Sequence, residues 1–93
     1  MYYVYMLANN ERTAIATGKT TDLTNALNEH KTQPGFTKQY KCFNLVYFEY
    51  TQFLDAAIAR EQAIASWPRE QKEKLISSTN PNWDDLSTKL HIG

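Results

Sequence analysis

A chain of 93 residues with 42% hydrophobic side chains, 13% aromatics and only 3 Gly and 3 Pro has the composition of one ordered globular domain and leaves no room for a second core. Ten basic and ten acidic residues cancel, so the long-range field that draws many proteins to polyanions is missing, and a polyanion must be met by a local patch. The single Cys42 cannot close an internal disulfide, no charged leader precedes an apolar stretch, and no apolar run approaches the ~20 residues that cross a bilayer. The expectation is a cytoplasmic protein with no membrane partner.

The first element, Tyr2 to Ala8, is rich in aromatic and β-branched residues and nearly free of charge. That pattern predicts a strand buried on both faces and therefore central in its sheet. Asn9-Asn10 supplies turn chemistry, since Asn tolerates positive φ, and Thr13 to Lys19 returns as a second strand ended by Gly18. Thr20 or Thr21 is placed to cap the next helix, with Asp22 at the positive end of its dipole. Leu23, Ala26, Leu27 and His30 recur at offsets of three and four, which puts a histidine on the inward face of a helix that ends near Gln33, before Pro34-Gly35.

After a polar connection, Phe43 to Tyr50 alternates as a third strand. A helix follows from about Phe53 to Ser66, with Leu54, Ala57, Ile58, Glu61, Ile64 and Ala65 as its stripe. Ser66-Trp67-Pro68 marks a break and a restart, and Arg69 to Ser77 reads as a third helix. The tail from Ser78 to Gly93 is expected to dock Trp83 and Leu86 loosely. The whole is an α+β domain in ββαβαα order, a small three-stranded antiparallel sheet with helices packed on it, occupying residues 1–93 with a core over about 1–77.

Four polar side chains fall on or beside the inward faces of these elements: Tyr5, Lys19, His30 and Glu61, with Ala16 and Ala26 between them. A carboxylate on an apolar helical face needs a partner. For Glu61 that partner is either a metal or a salt bridge to Lys19 or Arg60. Mg²⁺ often takes only one or two protein carboxylates and completes its shell with water and substrate phosphate, so a lone Glu61 suffices for it. His30 either orients a water or phosphate or simply packs; Tyr5 is either a general base or phosphate ligand or part of the core.

Taken together, Val4-Tyr5-Met6, Ile15-Ala16-Thr17-Gly18-Lys19-Thr20, Asp22-Leu23 with Leu27-Asn28-Glu29-His30, and Ala59-Arg60-Glu61-Gln62 before Trp67 resemble the GIY-YIG nuclease superfamily. Within it the chain looks most like small stand-alone bacterial proteins related to the nuclease module of the UvrC excision-repair protein. Gly35-Phe36-Thr37-Lys38, Leu45-Val46-Tyr47-Phe48-Glu49 and Asn80-Pro81-Asn82-Trp83-Asp84-Asp85-Leu86 resemble those proteins as well. The resemblance implies a GIY-YIG fold, hydrolysis of a nucleic-acid strand, expected to be DNA in a repair setting, and one Mg²⁺ or Mn²⁺ ion.

It also implies catalytic roles for Tyr5, Lys19, His30 and Glu61, with Glu61 as the metal ligand. The family's second motif tyrosine corresponds to Ala16 and its arginine to Ala26. Alanine neither accepts a water's proton nor steadies phosphate charge, so cleavage is expected to be weak or absent. Two alanines at these two positions fit natural loss and deliberate truncation alike; Ala63 and Ala65, where relatives often carry lysine, fit a broader drift of charge. Two further readings use the same fold: a non-catalytic nucleic-acid-binding module working through Lys19, Lys38, Lys41 and Arg60, and a protein–protein adaptor holding its partner in the same cleft or on an aromatic surface, which exposed Trp67 or Trp83 would favour.

Overall fold

The computed structural model describes residues 1–89; the last four residues of the expected tail lie outside the described residues. Three antiparallel strands, β1 (Tyr2–Ala8), β2 (Ile15–Thr20) and β3 (Asn44–Thr51), form one sheet in the order β2-β1-β3. The chargeless first strand is central, as its composition predicts. Helix α1 (Leu23–Thr32) and the single turn α2 (Phe36–Gln39) precede β3; α3 (Leu54–Ser66) and α4 (Arg69–Thr79) follow it, and a 3-10 turn spans Leu86–Lys89.

Strand alternation splits the core in two. Val4, Met6 and Ala8 point to one face and meet Ala57 and Ile64 of α3 and Ile76 of α4. Tyr5 and Leu7 point to the other and meet Leu23, Ala26 and Leu27 of α1 together with Cys42. The thiol of Cys42 donates to the carbonyl of Ala14 at 3.7 Å, and burial pushes its pKa up. That leaves it a small core hydrophobe without thiolate character.

A bulge shifts the β1–β3 register between Met6 and Leu7, which pair with Tyr47 and Leu45. Val46 and Tyr47 therefore both join the α3 face. The amide of Asn80, which ends α4, donates to the carbonyl of the extra residue Val46 at 3.0 Å and to that of Asp84 at 2.9 Å. The tail is thus pinned by buried hydrogen bonds rather than loosely docked. Asp85 adds to this by accepting from the backbone N–H of Leu45 at 3.1 Å.

Several local expectations change. The turn after β1 uses the side chain of Asn9, whose Oδ1 accepts from the N–H groups of Thr13 at 2.8 Å and Ala14 at 3.1 Å. The left-handed residue there is Arg12, φ 58°, so pairing of the second strand starts at Ile15 instead of Thr13. Asp22, not a threonine, caps α1 by accepting from Asn25 N–H at 3.1 Å. Thr20 Oγ1 instead accepts from Asp22 N–H at 3.0 Å and turns the chain into that cap. On α3 only Ala57 and Ile64 of the expected stripe are buried; Leu54 is exposed and Ala65 opens onto a cleft. The polar connection contains α2, entered through Gly35 at φ 154°, a conformation that L side chains rarely adopt.

Candidate active site

Tyr5 sits mid-strand with Gly18 as its cross-strand partner on β2. Its ring runs over that glycine, so the hydroxyl reaches the edge of the sheet while the residue is only 4% exposed. There the hydroxyl meets His30 Nε2 at 2.6 Å, with the two rings edge to face at 5.7 Å. The other imidazole nitrogen, Nδ1, lies 3.0 Å from Thr37 Oγ1, whose own hydroxyl points to the carbonyl of His30 at 3.4 Å. That network assigns the tautomer: Nδ1–H donates to Thr37, and Nε2 accepts from the Tyr5 hydroxyl.

The electrostatics agree with this assignment. Burial, then the negative charges of Glu61 and Glu29, push the Tyr5 phenol up to about 12, so it is protonated and donates. Burial also lowers His30 against the weaker opposing pull of Glu29, so the imidazole is neutral at neutral pH. Thr37 orients the histidine, yet the sequence marks it only as part of a polar connection and of the Gly35-Phe36-Thr37-Lys38 resemblance, with no role of its own.

Lys19 and Glu61 form the second half of the constellation. Lys19 follows Gly18 and so points to the α3 face, where its Nζ lies 3.5 Å from Glu61 Oε1. Of the two salt-bridge partners weighed for Glu61, Lys19 is the one the structure pairs with it. Arg60 turns instead to Glu49, its Nε 3.0 and 3.2 Å from the two carboxylate oxygens, beneath a 2.7 Å hydrogen bond from the Tyr47 hydroxyl. The two pairs therefore approach from opposite faces of edge strand β2, and the charge of Glu61 is felt at Tyr5.

A cleft of about 570 Å³ opens beside them. Its floor is Ile15, Ala16 and Thr17 of β2; one wall carries Glu29, His30 and Gln33, and the other Ala65 and Lys72. Of the four polar residues, His30 alone lines it. Ala16 lies on its floor, whereas Ala26, on the inward face of α1, is buried in the core with Tyr5 and Leu7, 6% exposed. Trp67 and Trp83 are half-buried, each beneath a guanidinium: Arg60 at 5.1 Å and Arg12 at 5.4 Å. Neither tryptophan is the fully exposed one that would favour an adaptor.

A family model described as the GIY-YIG catalytic domain matches residues 1–74. The chain belongs to the GIY-YIG family. It is 34% identical over 76 residues to a UPF0213 protein of Haloquadratum walsbyi, an overlap covering 80% of this chain and 84% of that protein. The solution NMR structure of a UPF0213 protein from Bacillus halodurans matches with a TM-score of 0.59 and 26% identity, covering 100% of both chains. Membership makes this a nuclease-type domain whose class of partner is nucleic acid. Within the matched stretch stand the Tyr5 phenol, the Glu61 carboxylate on α3 and, on the floor of the cleft, Ala16.

The donor set limits the metal that such a domain can hold. No group of three His, Cys, Asp or Glu side chains converges among the described residues, which leaves no all-protein cage. A single, partly exposed Glu61 carboxylate fits a hard, oxygen-seeking ion that draws most of its ligands from water and phosphate. No helix among the described residues is long and apolar enough to cross a membrane.

Proposed function

We propose that this chain is a GIY-YIG domain that binds DNA at the edge of β2 with Glu61 as the sole protein ligand of a Mg²⁺ or Mn²⁺ ion, and that it cleaves weakly or not at all. The observation that carries this reading is alanine at position 16 on the cleft floor beside an intact Tyr5–His30 pair. The ion would supply charge for the phosphate. For any water that attacks, a proton lost to the Tyr5 oxygen would be matched by one passed from Tyr5 to His30 Nε2, leaving hydroxide and an imidazolium, with Thr37 holding the ring in the accepting tautomer. What is missing is a second phenol to position or deprotonate water and a cation against the accumulating phosphate charge. Each such loss typically costs about 10² to 10⁴ in rate, and losses within one site need not multiply.

Lys19 neutralises Glu61 in the ion pair between them; with the carboxylate holding an ion, the Lys19 ammonium would be free to contact phosphate. Glu61→Gln separates this reading from a purely structural ion pair. In fluorescence anisotropy with labelled DNA, Mg²⁺ tightens binding of the native chain and has no such effect on Glu61→Gln, which binds no worse than the native chain in EDTA. Binding equally blind to Mg²⁺ in both proteins contradicts the assignment. RNA of the same sequence, run alongside, decides the choice of DNA.

A further inference from the structure

The cleft beside the Tyr5–His30 pair brings together polar groups that the catalytic reading leaves unused. The ammonium of Lys72 has no ion pair among the described residues, although its neighbours on α4 are engaged: Arg69 with Glu73 at 2.8 Å and Lys74 with Glu70 at 3.7 Å. Thr17 Oγ1 is buried and lacks a hydrogen-bond partner among the described residues, a condition that native proteins rarely leave unanswered. Thr17 and Lys72 are both lining residues of the same cleft, with the Thr17 hydroxyl buried beneath its surface. Its floor, β2, has no strand on its outer side among the described residues, so the backbone donors and acceptors along that edge are open.

The two walls differ in charge. Lys72 stands on the α4 side, while His30 and Glu29 stand on the α1 side, with Glu29 Oε1 accepting from Asn25 Nδ2 at 3.0 Å. A bare anion suits only the first wall. A nucleotide suits both, because it is anionic at the phosphate and carries hydrogen-bond donors on base and sugar. A volume of about 570 Å³ is also within the range of sites that enclose small ligands.

We propose that this cleft is a nucleotide subsite flanking the reacting position, with Lys72 contacting a backbone phosphate, the β2 floor beneath the same unit, and Glu29 accepting from a base or sugar donor. The proposal rests on the nucleic-acid reading above and adds to it a residue on α4, outside the Tyr5, Lys19, His30 and Glu61 set. Lys72 acts as a binding residue through charge, so its signature is the salt dependence of affinity. Each phosphate contact contributes a slope of about 0.7 in log affinity against log salt for single strands and about 0.9 for duplex.

The test is anisotropy with short single-stranded and duplex DNA across a salt series for the native chain, Lys72→Ala and Lys74→Ala, with thermal melts of all three. The expected result is that Lys72→Ala binds several-fold more weakly at low salt and loses about one contact's slope, while Lys74→Ala matches the native chain and all three melt alike. A native slope retained in Lys72→Ala overturns the subsite and leaves the DNA reading standing. A native chain that binds neither DNA overturns both.

Discussion

The hydroxyl of Tyr5 stands where a side chain at Gly18 would begin: a Cβ there would lie 2.5 Å from Tyr5 Oη and 2.7 Å from Cζ. The motif glycine is therefore a steric condition for the phenol to cross β2 and reach His30. Gly18→Ala must push the ring off its course and break the 2.6 Å hydrogen bond. The expected cost is about 1–3 kcal/mol by chemical denaturation, in the range of overpacking elsewhere. In a Tyr5→Leu background, where the colliding atoms are gone, the same substitution costs less than half as much. Equal costs in the two backgrounds contradict the steric account.

His30 makes stability depend on pH with a definite sign. Its folded pKa lies below the ordinary 6.5, chiefly through burial, so the unfolded chain binds the proton first as pH falls. Its stabilising contribution is full above about 6.5 and is lost as pH drops through the depressed folded value. Urea titrations across this window are expected to show that loss in the native chain and a flatter profile in His30→Gln. A parallel fall in both proteins places the titration elsewhere.

Arg60 is held by Glu49 and stacked on Trp67, which removes it from the set of nucleic-acid contacts considered from the sequence. Because the pair is about one-third exposed on both sides, solvent screening limits its worth, and Arg60→Ala is expected to cost about 1 kcal/mol, partly through lost packing. Its DNA affinity and salt slope should equal those of the native chain. A reduced slope returns Arg60 to the interface.

Asn80 is the polar keystone of the tail. It is 5% exposed and serves Val46 and Asp84 at once, so Asn80→Ala leaves a buried bulge carbonyl unpaired and is expected to cost about 2 kcal/mol. A neutral substitution, measured by thermal melting, means that the tail docks only through Trp83 and Leu86.

The elements legible in the sequence were those whose pattern had one physical solution. A chargeless aromatic strand had to be central, and Leu23, Ala26, Leu27 and His30 had to share one face. Of the two salt-bridge partners that residue spacing allowed Glu61, only tertiary geometry selected Lys19, because that choice depends on which face of β2 each side chain leaves. Asp22 and the two preceding threonines are all competent caps, and their order along the turn decided which one served. The helix stripe was overdrawn at Leu54 and Ala65 because α3 covers the sheet with a narrower face than its apolar residues allow. Lys72 gave no signal, since an unpaired lysine on a charged helix looks like any solvated one until the cleft beside it is seen.

The central claim is that a phenol–imidazole pair and a carboxylate persist in a site that lacks the residues at 16 and 26 needed for cleavage. The most direct measurement is plasmid nicking with Mg²⁺ and with Mn²⁺ by the native chain, Ala16→Tyr, and Ala16→Tyr with Ala26→Arg, the single variant being included because position 26 is buried in the core. The account predicts little or no nicking by the native chain and a gain of about 10² or more in at least one restored variant. Nicking by the native chain as fast as by the restored variants contradicts it.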